Sequence, residues 1–339
     1  MTQWLRRRAV LASACLLAAV LAGCGGGGGG GGDDDATKRT AIRIQLNWVP
    51  EPEFGGLYAA LEQGFFTAEG LDVELVAGGP GVAAPQLVAS GNVPFAIVGG
   101  EQILTLREQG GEIVALFATF QDDPMGLMVH AANPHASLEE LWRSETKVAC
   151  EANLSWVEAM RRRVPDGRVQ IVPHTGSLAQ FVADPTMAQQ CFIFAEPVAL
   201  EVQGVPTRVF LAKESGFNPY NVVLATSAAH LREQPELCGR VVRAVQRGWE
   251  HYLAEPRPTN EIMHRLNPSM SVEAMDIAAA KQAALIANDA TRSLGLGAMT
   301  SERWREIAES LRELGKITTV PEPADVFRWP APDRGTTRP

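Results

Sequence analysis

The sequence predicts an α/β protein of two lobes joined by a hinge, with a ligand cleft between them. Two observations carry this. Short apolar or alternating runs separated by helical stretches occur in two successive series, over residues 40–117 and 127–194, and each series reads as βα units around a mainly parallel sheet. The chain then returns through an apolar strand at Val222–Ala225 to an all-helical remainder, so it passes between the two series twice. Two passages form a hinge, and ligands of open α/β sheets sit at the carboxyl ends of the strands.

Ile42, Ile44 and Leu46 alternate with Arg43, Gln45 and Asn47, which predicts a strand over 43–48 that Pro50 and Pro52 end. Leu57, Tyr58 and Leu61 fall at helical spacing within 54–63, and Gly64 suits the C-cap. Strands follow at 71–76, 95–98 and 113–117, with helices at 85–90 and 101–109. In the second series the strands are 127–130, 147–150, 169–172 and 191–194, with helices near 154–162 and 177–183. Ser137 and Glu140 have capping-box spacing for a further helix. Amphipathic helices are expected at 237–253, 271–287 and 301–314, and Phe327-Arg328-Trp329 as a docked tail. The expected organisation is a first lobe of 39–127 plus 225–325, a second lobe of 128–224, and a C-terminal tail of 326–339.

The first 38 residues read differently. Arg6, Arg7 and Arg8 precede an apolar run from Ala9 to Ala22, about 14 residues and short of the roughly 20 a spanning helix needs. The run ends in Leu21-Ala22-Gly23-Cys24, which resembles a bacterial lipobox. Residues 1–23 are therefore expected to be a lipoprotein signal peptide, with Cys24 lipidated and the protein anchored to a membrane in the cell envelope, on its periplasmic or extracellular face. Gly25 to Gly32 and Asp33 to Asp35 read as a flexible tether over 24–38, because glycines bury nothing and lose much entropy on ordering.

The formal net charge is −9, and loss of Arg6, Arg7 and Arg8 with the signal would make it −12. So acidic a chain excludes general nucleic-acid binding, which needs clustered Lys and Arg. Past Cys24 the cysteines are Cys150, Cys191 and Cys238, with no CxxC pair; the histidines show no metal-ligand spacing, so no metal is expected.

Asn47-Trp48-Val49-Pro50-Glu51-Pro52-Glu53-Phe54-Gly55-Gly56-Leu57-Tyr58, continued by Gly64-Phe65-Phe66 and Glu69-Gly70-Leu71-Asp72-Val73, resembles the opening of one superfamily. It contains the pyrimidine-precursor binding proteins of thiamine salvage, sulfonate-binding proteins and the fungal-type thiamine-pyrimidine synthase. The resemblance implies a type II periplasmic-binding-protein fold. It also implies a small-molecule ligand and, as partners, the permease and ATPase of an ABC importer; a monomer is expected. In the synthase class it implies a cofactor lysine and a histidine after the third strand, a cysteine-rich run and a further histidine. Here Ile97-Val98-Gly99-Gly100-Glu101-Gln102 has no lysine or histidine, Asn218-Pro219-Tyr220-Asn221 has no cysteine, and the further histidine would fall near Phe54. No cofactor and no enzymatic activity are expected.

A flat heteroaromatic ring needs apolar faces and a few hydrogen-bonding groups at its rim. Trp48, Phe54 and Tyr58, near the end of the first strand, are candidate platforms, although each also suits the core. Glu196, beyond the last apolar run, can grip an aminopyrimidine by a charge-assisted bond. Glu101 and Gln102 open a helix facing the cleft or merely favour its dipole. Asn218 and Tyr220 flank the second passage, Glu51 and Glu53 are gate candidates, and Gly176-Ser177 is a weak anion site. Acids outnumber bases here, which disfavours sulfonate. A thiamine pyrimidine precursor, of hydroxymethylpyrimidine or formylaminopyrimidine type, is the expected ligand, with a riboflavin-like ring or, less favoured, a sulfonate-type ligand as the alternative.

Overall fold

The computed structural model describes residues 39–329; the signal-like run, Cys24, the glycine tether and residues 330–339 lie outside the described residues. The alternating run at Ile42 forms β1 (Thr40–Gln45), with Ile42 and Ile44 buried and Arg43 exposed. α1 (Gly55–Glu62) and α2 (Phe65–Ala68) lead to β2 (Leu71–Val76), and Gly64 between them takes the left-handed conformation, φ 70°, that ends α1. α3 (Ala84–Ala89), β3 (Phe95–Val98), α4 (Gly100–Glu108) and β4 (Ile113–Phe120) complete the first series.

The chain then crosses into β5 (Met125–His130), α5 (Leu138–Arg143), β6 (Lys147–Cys150), α6 (Ser155–Arg163), β7 (Gln170–Pro173), α7 (Ala179–Ala183), β8 (Ala188–Phe192), α8 (Glu196–Val202) and β9 (Thr207–Leu211). At α5 Ser137 is the N-cap, its Oγ accepting from Glu140 N, but the reciprocal bond of a capping box is displaced by one residue: Glu140 Oε2 accepts from Ala136 N and not from Ser137 N. The chain crosses back into β10 (Asn221–Ser227). The helical remainder is α9 (Ala228–Glu233), α10 (Pro235–Ala254), α11 (Pro256–Leu266), α12 (Val272–Ile286), α13 (Asp289–Leu294), α14 (Ser301–Glu313) and α15 (Pro323–Val326).

Two five-stranded sheets result, ordered β2-β1-β3-β10-β4 and β7-β6-β8-β5-β9. In each sheet one strand opposes its neighbours: β10 is antiparallel to β3 and β4, and β5 to β8 and β9. Both are the strands delivered by a passage between lobes. They enter at the cleft end, where the other strands finish, so they must run the opposite way. Strand pairing also moves the expected lobe limits. Met125–Leu127 pair in the second sheet and Asn221–Leu224 in the first, so the passages are 121–124 and 212–220. The last apolar run of the second series was also misplaced: β8 covers 188–192, and Phe194 instead stacks on Phe120 of the first lobe, ring centroids 5.4 Å apart. β9, α8 and α11 are elements the sequence reading lacked.

Helix α10 anchors α1. Gly56 packs so closely on the Trp249 ring that any side chain there would collide with it. The tail docks as expected, with Phe327 bridging Ala115 and Arg328 N donating to Ala115 O at 2.8 Å.

Candidate functional site

Parallel strands of both sheets end at one gap. The chain beyond β1 brings Asn47 there, β3 leads to Gly99 and the first residues of α4, β6 to Glu151 and the start of α6, and β8 ends at Gln190 and Phe192. Asp123, Met125, Phe217, Tyr220 and Asn221 from the two passages close the back. The cleft they form is open to solvent on one side and measures ≈ 440 Å³, within the span of small-molecule sites.

Its walls have a definite chemistry. Phe192, Phe217, Trp156 and Tyr220 supply aromatic surface. The Trp156 indole is held by a bond from Nε1 to Met125 Sδ, 3.2 Å. Glu101, Asp123 and Glu151 supply acids, while among the described residues no Lys or Arg lines the cavity. Asn47 Oδ1 is buried without a hydrogen-bond partner. A buried acceptor left unpaired is costly, so Asn47, which lines the cavity, is a candidate to receive a donor brought by a ligand. Asn47 was missed as a site residue, although its place after the apolar residues of β1 and its polar side chain were both visible in the sequence.

The expected site residues divide into three groups. Glu101, Gln102 and Tyr220 line the cavity, each with a polar group already engaged. Glu101 Oε1 accepts from Ser155 Oγ across the lobes, and burial raises its pKa. Gln102 Oε1 caps its own helix by accepting from Gly99 N at 2.9 Å. The Tyr220 hydroxyl accepts from Thr300 N at 3.2 Å, on the first-lobe side.

A second group, Trp48, Glu51 and Glu196, lies outside the cavity lining but draws together beside it. Glu51 is pushed up to about 7, chiefly by burial and then by the charge of Glu196, while hydrogen bonding to Trp48 and Asn267 opposes this. Glu53 is raised by burial and by both of those carboxylates. Glu196 stands beyond the end of β8 and outside the cavity lining. It is the first residue of α8, and its Oε2 accepts from Phe192 N at 2.9 Å, fixing the residue that presents an aromatic ring to the cavity. Burial raises its pKa as well.

The third group is structural. Phe54 is 0 % and Tyr58 4 % exposed, both packed in the first-lobe core with α10; the tyrosine hydroxyl is pushed up to about 12 by burial. They correct the expected ring platform, because both rings are buried in the core that α1 shares with α10 and neither lines the cavity. Asn218 is corrected too. Its Nδ2 donates to Asp122 Oδ1 at 2.8 Å and its Oδ1 accepts from Asp123 N at 2.9 Å, so its amide ties the two passages together. Lys213 Nζ and Arg303 complete this hinge, Lys213 on Asp122 Oδ2 at 2.9 Å and Arg303 on the carbonyls of Gln121 and Asn218. Burial alone would raise Asp122, but the bonds from Asn218 and Lys213 bring it below its ordinary value.

Cys150, Cys191 and Cys238 are buried free thiols, and among the described residues no His, Cys, Asp and Glu group is arranged to hold a metal. No helix among the described residues is long and apolar enough to cross a membrane.

Comparison with known proteins agrees with this geometry. The family described as NMT1/THI5 like matches residues 51–259. The riboflavin-binding protein RibY of Chloroflexus aurantiacus is 25% identical over 299 residues, covering 84% of this chain and 83% of that protein. A formylaminopyrimidine-binding protein of Halalkalibacterium halodurans is 32% identical over 75 residues, 22% of this chain and 23% of that protein. Among solved structures, the periplasmic aliphatic sulphonate binding protein SsuA from Escherichia coli superposes with a TM-score of 0.63 at 12% identity, covering 86% of this chain and 92% of that one. That likeness speaks to the fold, which is the periplasmic-binding-protein fold.

Proposed function

The chain belongs to the NMT1/THI5-like family, and from that premise we propose that it is the solute-binding component of an ABC importer and captures a flat heteroaromatic molecule with N–H donors at its rim. The observation that carries this is the cavity at the strand ends of two hinged lobes, with aromatic walls, the unpartnered acceptor of Asn47, and no cationic lining. A sulfonate or other strong anion finds no Lys or Arg there to replace its hydration. A ring carrying imide or amine N–H groups finds the unpartnered acceptor of Asn47 and the carboxylates of Glu101, Asp123 and Glu151, and apolar faces on Phe192 and Phe217. Ligand contacts to both lobes would stabilise the closed form, the state a permease would receive. Lipid on Cys24 would keep the protein at the membrane where permease and ATPase act.

Within that class we place a flavin-type ring first. The likeness to the riboflavin-binding protein over 84% of this chain supports it, and Glu196, which an aminopyrimidine would need, is absent from the cavity lining. The aminopyrimidine reading keeps the support of a short matching segment in a formylaminopyrimidine-binding protein. Calorimetric titration of the purified protein with riboflavin, an aminopyrimidine and an alkanesulfonate tests both. Binding of riboflavin with no heat from the sulfonate is expected. Binding of the sulfonate alone would overturn the ligand class, and preference for the aminopyrimidine would reverse the order of the two rings.

A further inference from the structure

The loop 151–154 between β6 and α6, with Ser155 opening α6, forms the lip of the second lobe over the cavity. Two side chains of the first lobe hold it. At one end Ser155, 2% exposed, donates its hydroxyl to Glu101 Oε1 at the start of α4. In the middle, Lys316, just past α14, donates from Nζ to the backbone oxygen of Asn153 at 3.1 Å. Asn153 adopts φ 63°, a left-handed conformation that is uncommon outside glycine and that clusters at ligand clamps.

The lip has space on both faces. A second cavity of ≈ 400 Å³, lined among others by Arg161, Ile171, Leu314 and Lys316, shares Glu151, Asn153 and Leu154 with the binding cavity. A wall one loop thick, with a void behind it, depends on its tethers more than a packed element does. The tethers come from two points of the first lobe that are far apart in sequence, α4 and the segment after α14. Motion of the lip away from the first lobe must break both.

We infer that Glu101–Ser155 and Lys316–Asn153 form a latch between the lobes, and that Ser155 and Lys316 are positioning residues which set how often the ligand-free protein is closed. This rests on reading the two lobes as a clamp. Apparent affinity scales with the closed, binding-competent fraction, so the latch would tune capture through residues that include one, Lys316, absent from the cavity wall.

Hydrogen–deuterium exchange of the full-length chain without ligand tests it. A net hydrogen bond corresponds to about a 2- to 12-fold change in an opening equilibrium. Ser155→Ala and Lys316→Met should each speed exchange of the lip amides (151–157) and of the start of α4 by that factor, with β2 unchanged. Ser155→Thr and Lys316→Arg, which keep the donors, should exchange like the wild type. Should Ser155→Ala fail to fold, the partly exposed Lys316→Met carries the test. Wild-type exchange in Lys316→Met, or acceleration that is equal in β2, overturns the latch. The readout needs no ligand, so failure of the ligand assignment in titration leaves this result standing, and the reverse holds.

Discussion

Replacing Asn47 by alanine separates binding from folding. In the ligand-free protein its Oδ1 has no partner, so the fold gives up no bond when the amide is removed. The melting temperature should therefore stay level or rise, since an unsatisfied buried acceptor disappears. In the complex the same substitution leaves a ligand N–H facing alanine. A buried group left unpaired costs about 1–3 kcal/mol, which is roughly a 5- to 150-fold loss of affinity. Quenching of flavin fluorescence on titration reads the dissociation constant, and thermal unfolding of the same samples reads stability. An unchanged dissociation constant would show that no ligand donor meets Asn47. A melting temperature lowered by several degrees would show that the amide is structural after all.

Three further outcomes follow from the same geometry. Glu196→Gln keeps an acceptor for Phe192 N and should bind within about 2-fold of wild type, whereas Glu196→Ala frees the Phe192 backbone and should weaken binding by about 0.5–1.5 kcal/mol; equal damage from both would restore a charged contact to ligand. Asn218→Ala removes two bonds between the passages and should cost about 1–3 kcal/mol of stability by denaturant unfolding, and a variant as stable as the parent would refute the hinge role. Glu51, raised from 4.5 to about 7, binds more protons folded than unfolded, so its contribution to stability is fully present below pH 4.5 and is lost as pH rises to about 7. Across that window Glu51→Gln should gain about 3 kcal/mol on the wild type, and parallel pH–stability curves would contradict the shift.

Much of the architecture was legible because it depends on local signals. The alternation at Ile42 and Ile44, the Ser137 cap of α5, and Gly64 after α1 each specify their own element, and each is present. What escaped the sequence was decided at long range. The apolar run around Cys191–Phe194 promises a strand, but pairing with β5 ends at Phe192 because Phe194 is claimed by Phe120 in the other lobe. That displacement turned Glu196 from a strand-end acid into the first residue of a helix. Phe54 and Tyr58 carry the chemistry of a ring platform as well as of a core. Packing of α1 on Trp249 and Tyr252, nearly two hundred residues along the chain, decides for the core. Asn218 looks like a ligand contact in sequence because it flanks a passage, but its partners, Asp122 and Asp123, lie on the other passage. Composition did anticipate the excess of acids and the lack of cations in the cavity wall.

A crystal structure of the protein grown with riboflavin puts the central claim to its most direct test. The expected density lies between the lobes, with the ring against Phe192 and an N–H of the ring on Asn47 Oδ1. Density confined to another surface, such as the groove between Leu116 and Leu231, with the cavity filled by solvent alone, would contradict it.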